Sequence, residues 1–384
     1  MSKQPKKKKI VWQKYIGMAF FIIIGAICGL LIATYMDSNA AENISLGEKL
    51  LSYFSLIVVM FIAIFLHLII HEAGHLVFGL LTGYSFSSFR IMSFMWVKEK
   101  KQIKFKRLTI AGTGGQCLMA PPNLVDGKIP VVLYNLGGSF MNIITGLIFL
   151  SLYFIFQNVP LISTVMLMMT AIGFIFAIMN GVPIRMGLVD NDGYNAFALS
   201  RNPDAQRSFW VQMKVNEKLT KAVRLKDMPD EWFAVPSDEK MKNSMVAVMG
   251  VFACNRMIDS QNFAQAYKLI NHLLEIESGI VELHRNLMVC DCVYCELIGE
   301  NRSDVLAQLF TPKIKKFMRS MKTFPSVLRT EYSYALLSEK NIVKAERVKV
   351  KFEECAKTYP YASDIQAERE LMDISDQTSK EVKI

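Results

Sequence analysis

His71-Glu72-Ala73-Gly74-His75 is an H-E-x-x-H sequence. On a helix the two histidines lie one turn apart on one face, so both imidazoles can reach the same ion. Glu72, beside the first of them, can take a proton from water activated at that ion. The motif ends a long run without Asp, Glu, Lys or Arg that starts at Leu50. Two histidines and a glutamate there are costly to bury without a purpose. The competing reading is a purely structural polar cluster at a membrane interface. His67 stands one further turn back, but it and His75 are ~12 Å apart along a straight helix, too far to share an ion. His67 is therefore read as supporting or lining the site, or as simply packed.

A catalytic zinc site usually takes three protein ligands and keeps one position open. The remaining histidines, His272 and His284, lie far along the chain. The third ligand is therefore expected to be an acid near the end of an apolar run, and Asp190 and Asp192 are the candidates. Cys290, Cys292 and Cys295 also suggest a metal, but their spacing matches no zinc knuckle. They read as buried cysteines on one helix. The seven cysteines are scattered, Cys28, Cys117, Cys254, Cys290, Cys292, Cys295 and Cys355, and disulfides are not expected in the cytoplasmic half.

The helices and strands that hold these residues follow from the hydropathy pattern. The chain has 384 residues, which allows two to three domains. Residues 15–35 and 50–71 carry no Asp, Glu, Lys or Arg, and neither does 129–184. About 20 apolar residues in a helix cross a bilayer. Four spans fit, near 15–35, 50–80, 130–157 and 161–184. The second would extend about 50 Å at ~1.5 Å per residue, against a hydrocarbon core of about 30 Å. It must tilt, or its end must sit in protein, and that end holds His71 and His75. The run at the N-terminus is too long for a typical signal peptide and reads as a retained span.

The net charge of +10 comes largely from Lys6–Lys9 and the segment 98–107, both flanking apolar runs. Basic residues there anchor a cytoplasmic face, and nucleic-acid binding is not expected. This places both termini in the cytoplasm of a multi-pass protein, and the compact architecture and lysine-rich ends lead to the expectation of a bacterial cell membrane. Residues 86–128 carry strand-like stretches rich in aromatic and β-branched residues, followed by Gly-Thr-Gly-Gly and a double proline. Strands at membrane depth must pack on protein or line a wet cavity. From about residue 200 the pattern is helical. Segments 262–276, 281–299, 326–341 and 342–360 read as amphipathic helices in pairs. They resemble tetratricopeptide-type repeats without the full consensus, an irregular bundle being the alternative. The tail after Ser375 reads as frayed.

With these residues in place the chain resembles the site-2 protease family of intramembrane metalloproteases. His71–His75 match its H-E-x-x-H. Gly138-Ser139-Phe140-Met141-Asn142 is similar to its G-P-x-x-N segment, with serine in the proline position. Asn180 and Pro183, followed by Asp192-Gly193, resemble its N-x-x-P…D-G segment. Gly114-Gly115 with Met119 resembles its G-G-x-x-x-M loop. The resemblance covers residues 50–195. The stretch from Asn180 to Asp192 is longer than the family pattern, which leaves Asp190 as well as Asp192 open. The resemblance implies that His71, His75 and Asp192 bind zinc and that Glu72 is general base and later acid. It implies that Asn142 donates to the developing oxyanion or holds the substrate backbone, and that Gly138 permits close helix packing. It also implies an extended substrate pairing with the strand region.

The expected architecture is therefore mainly α: about four transmembrane helices, a small membrane-associated β region and a C-terminal soluble helical domain. The divisions are a basic N-terminus, 1–14; a first span with its outer loop, 15–49; a metalloprotease core, 50–195; and a cytoplasmic helical domain, 196–384. The expected activity is Zn2+-assisted hydrolysis of a membrane protein or hydrophobic peptide near the cytoplasmic face. A protein partner could dock on the C-terminal helices. The alternative is a non-catalytic membrane scaffold with a structural zinc site.

Overall fold

The apolar runs become helices because nothing within them competes for backbone hydrogen bonds, and breakers mark their ends. The computed structural model describes residues 13–38, 45–99, 102–109, 113–184 and 190–381. The basic cluster Lys6–Lys9 lies outside the described residues. The chain divides into two compact units.

The first unit comprises Met1–Gly83, Gly114–Cys117 and Pro130–Arg201. Its helices are α1 (Gln13–Ser38), α2 (Leu46–Leu81), α3 (Val131–Ile155), α4 (Pro160–Gly181) and α5 (Asp192–Arg201). The first four are long and apolar enough to cross a membrane. α2 starts at a capping box: Ser45 Oγ accepts from the Glu48 N–H, and the Glu48 carboxylate accepts from the Ser45 N–H. α2 then runs 36 residues unbroken, about 54 Å at ~1.5 Å per residue. Pro160 opens α4 at a position where a missing N–H costs nothing. Ile24, Cys28 and Ile32 of α1 pack with Leu56 and Ala63 of α2 and with Met168, Ile172 and Phe176 of α4. Large apolar side chains such as Ile22, Phe54, Phe61 and Leu147 point outward.

The second unit comprises Tyr84–Thr113, Leu118–Ile129 and Asn202–Ile384. Strands β1 (Ser85–Ile91), β2 (Phe94–Glu99), β3 (Gln102–Arg107) and β4 (Gly115–Ala120) form a sheet in the order β3-β2-β1-β4. β1–β2 and β2–β3 pair antiparallel, with Ile91 opposite Phe94 and Glu99 opposite Gln102. β4's first half belongs to the first unit. Helices follow: α6 (Pro203–Thr220), α7 (Ser244–Asp259), α8 (Phe263–Glu275), α9 (Glu282–Ile298), α10 (Ser303–Leu309), α11 (Pro312–Ser320), α12 (Pro325–Ser333), α13 (Ile342–Thr358) and α14 (Ala362–Glu381). A π turn, Tyr334–Ser338, continues α12.

Two expectations change. Strands β1–β3, read with the membrane core, group with the C-terminal helices. The cause is alternation along β2: Met95 and Val97 are fully buried against Leu328, Tyr332, Phe352, Ile365 and Met372. The tail after Ser375 is helix to Glu381. Ser375 is buried and shares a hydrogen bond with Ser333, and Tyr332 donates to Asp376. These two bonds hold the last turns on α12.

Candidate metal centre

His71 and His75 sit on one face of α2, as the i, i+4 spacing requires. Asp192, the first residue of α5, joins them. His71 Nε2 lies 2.9 Å from Asp192 Oδ2, His75 Nε2 lies 3.3 Å from the same oxygen, and the two Nε2 atoms are 3.3 Å apart. Among the described residues this is the one group of three His, Cys, Asp or Glu whose donor atoms converge in this way. The cysteines of α9 are buried thiols pushed up by burial, Cys290 and Cys295 to about 12. Asp190 stands outside the group of three.

The triad fits zinc. Donor atoms around a tetrahedral Zn2+ with bonds of 2.0–2.2 Å are ~3.3 Å apart, and the triangle here has edges of 2.9, 3.3 and 3.3 Å. Two imidazoles and a carboxylate are a donor set that zinc takes. Burial alone would raise the Asp192 carboxyl; His75 and His71, when their rings are protonated, outweigh it and hold the group well below the usual carboxylate range, and a zinc ion would take the place of those protons.

The other ring nitrogens fix which tautomers are present. His75 Nδ1 is 2.8 Å from the Tyr134 carbonyl oxygen, which can only accept. The proton is therefore on Nδ1, and the Nε2 lone pair is left for an ion. A longer chain governs His71. His67 Nε2 is 2.8 Å from the Met169 carbonyl, so it carries the proton and His67 Nδ1 is an acceptor. His67 Nδ1 lies 3.2 Å from one end of the Asn142 amide, and the other end lies 3.2 Å from His71 Nδ1. With His67 neutral, the amide must turn its NH2 to His67 and its oxygen to His71; hydrogen bonding decides between the two ends. His71 then donates from Nδ1 and keeps its Nε2 lone pair for the ion. The opposite orientation would need a charged His67 at a position with no solvent exposure. His67 and Asn142 thus act on the site through His71, as outer partners of metal-bound histidines do.

Small residues make the space. A Cβ on Gly138 would stand 2.4 Å from the His71 ring, and one on Gly115 would stand 2.5 Å from Glu72 Oε1. Gly138, expected to let the spans pack closely near the site, gives room on α3 for the His71 ring of α2. The close backbone crossing of α2 and α3 is made by Gly74 and Gly137, where a Cβ would meet the opposite carbonyl oxygen at 2.3 and 2.7 Å. Gly193, expected to approach the metal helix, instead meets the end of α4, where its Cβ would lie 2.2 Å from Gly181 O. Its backbone is helical.

Glu72 is buried beside the first residue of β4. Burial, and then the Glu72 carboxylate, pushes the Cys117 thiol up, so Cys117 stays neutral. Tyr134 ties this corner together: its hydroxyl donates to the Cys117 carbonyl while its own carbonyl accepts from His75. Sequence reasoning missed Asn191. Its buried Oδ1 accepts from the Tyr194 and Ile184 N–H groups, and its Nδ2 donates to the Met179 and Val182 carbonyls. It caps α5 and ties it to the end of α4, which places Asp192. An asparagine directly before Asp-Gly at a helix start was the available signal. Asn180 and Ser139 do not join the triad: the Asn180 side chain bonds within α4, and Ser139 Oγ is buried without a partner among the described residues. None of the protein-family models, curated proteins or solved structures compared with the chain matches it.

Proposed function

We propose that the chain is a zinc-dependent endopeptidase of the site-2 protease type, inserted in a bacterial cell membrane by its four apolar helices. The observation that carries this reading is the convergence of His71 Nε2, His75 Nε2 and Asp192 Oδ2 beside Glu72, on an apolar helix. A zinc ion bound there supplies Lewis-acid chemistry, acidifying water and polarising a carbonyl oxygen.

His71, His75 and Asp192 hold the ion. Glu72 takes the proton from the attacking water and returns it to the departing amine. Asn142, read from sequence as a donor to the oxyanion, is better supported as the group that orients His71. An extended substrate segment would pair with β4, an end strand of the sheet whose first residue lies against Glu72. A membrane protein or hydrophobic peptide suits this site, because the surrounding helices expose apolar side chains. The outward aromatics Phe94, Trp96 and Phe105, with nearby Lys and Arg, suit docking of the sheet at a bilayer interface. The C-terminal helices are read as a repeat-type cytoplasmic module that recruits or gates substrate.

The test is Glu72→Gln with a single-span substrate in vesicles. Zinc content stays near one ion per chain and cleavage is lost. Unchanged cleavage overturns the peptidase reading, and the scaffold alternative then stands. Cysteines placed at Ser38 and Lys104 report orientation. Ser38→Cys labels from outside and Lys104→Cys only from the cytoplasm, and the reverse pattern moves the site to the outer face.

A further inference from the structure

The second unit holds a partly open cavity of about 260 Å³, lined by residues of α6, α7, α9, α12 and α14. Its polar lining is out of balance. Four carboxylates, Asp259, Asp291, Asp364 and Glu368, face two guanidinium groups, Arg224 and Arg329. Arg224 pairs with Asp259 and also with Glu370, while Arg329 bridges Asp291 and Glu368. Asp364 is left with no ion-pair or hydrogen-bond partner among the described residues. Burial, then Glu368 and Asp259, pushes its carboxyl up to about 7, which marks uncompensated negative charge.

Other polar groups are also left over. Arg329 is 1% exposed, yet its Nη1 has no partner among the described residues. Ser363, 2% exposed, has an unpartnered hydroxyl, and His284 an unpartnered Nδ1. Burial lowers the His284 pKa, so its ring is neutral. Three unsatisfied polar groups on the wall of one cavity are uncommon, because each costs free energy when left unpaired. Val251, Phe252, Met288 and Leu371 supply apolar wall.

We propose that this cavity binds a primary ammonium group borne on an apolar body with a carbonyl oxygen beside it, the chemistry of the amino end of a peptide. The ammonium supplies the missing positive charge opposite Asp364. The neighbouring carbonyl accepts from Arg329 Nη1 and the Ser363 hydroxyl, and an apolar first side chain lies on the wall. The site does not depend on the chain being a peptidase.

The experiment is titration calorimetry on the full chain in detergent, near pH 8, with leucinamide as the probe. Leucinamide binds, and Asp364→Asn weakens it at least about tenfold, the worth of a charge-assisted hydrogen bond. Ser363→Ala weakens it by a smaller factor. His71→Ala leaves it unchanged, which separates the cavity from the metal triad. N-acetylleucinamide, without the charge, does not bind. Nα-acetyl-lysinamide, whose ammonium has no adjacent carbonyl, binds more weakly than leucinamide. The proposal is overturned if leucinamide does not bind, if N-acetylleucinamide binds equally well, or if the lysine probe binds as tightly. It is also overturned if His71→Ala abolishes binding, or if folded Asp364→Asn and Ser363→Ala proteins both bind as the parent does.

Discussion

Replacing Asn142 by leucine tests the chain Met169–His67–Asn142–His71 most directly. Asn142 is fully buried, and leucine keeps its branched outline, at a larger volume, without hydrogen bonds. Two separable losses follow. His71 loses the acceptor for its Nδ1 proton, so nothing fixes its tautomer or ring angle. Outer partners of metal-bound histidines contribute about 10- to 100-fold in metal affinity. Both contacts of the Asn142 amide are 3.2 Å, at the long end of the usual range, so the lower part of that span is expected, roughly 10- to 30-fold or about 1.4–2 kcal/mol. His67 Nδ1 meanwhile loses its donor while buried, at about 1–3 kcal/mol of folding stability. That second cost falls equally on the metal-free and metal-bound protein and cancels in the affinity. Zinc affinity is read by competition with a chromophoric chelator, and stability by thermal unfolding of the metal-free protein. Asn142→Asp separates the roles further. Its carboxylate still accepts from His71 and keeps zinc affinity within about threefold of the parent, while the His67 side loses its donor and stability falls. Parental zinc affinity in Asn142→Leu, or an equal loss in Asn142→Asp, would refute the relay.

Asp192→Ala should lose most of the zinc and Asp190→Ala keep it, by metal analysis of the purified proteins; the opposite pattern would transfer the ligand role. Gly138→Ala should lose most of the zinc as well, because its Cβ would stand 2.4 Å from the His71 ring, whereas Gly25→Ala, with nothing within 4 Å, should keep it. Asp364→Asn should stabilise the C-terminal helices in a pH-dependent way. The folded carboxyl is raised to about 7, above the unfolded value near ~3.9, so the folded state carries no penalty below about pH 4. The penalty grows as pH rises through 7 and then levels at about 4 kcal/mol at most. Amide-exchange protection of α14 should therefore match the parent near pH 4 and exceed it at pH 8; equal protection at both would remove the half-buried charge of Asp364 from the account.

Features that depend only on neighbours along the chain were legible before any folding. The runs 15–35, 50–71 and 129–184 became four long helices because uninterrupted apolar residues leave the backbone no other partner. His71 and His75 share a face through helical periodicity alone. The bounds of α2 depended on a capping box at Ser45 and Glu48, a local signal that an apolar count passes over. What lay out of reach was decided across long separations. Asp190 and Asp192 are equally acidic in the sequence, and only the Asn191 cap, tying α5 to the end of α4, turns Asp192 toward α2. His67 read as either a supporting or a packed residue, because its partners Asn142 and Met169 stand 75 and 102 residues away. The strands could not be assigned to a core from their own pattern either. Alternation shows that Met95 and Val97 face inward, but the surface they bury against comes from helices more than 200 residues later. Periodicity specifies which side of an element is apolar; which element covers it is settled only when the chain closes on itself.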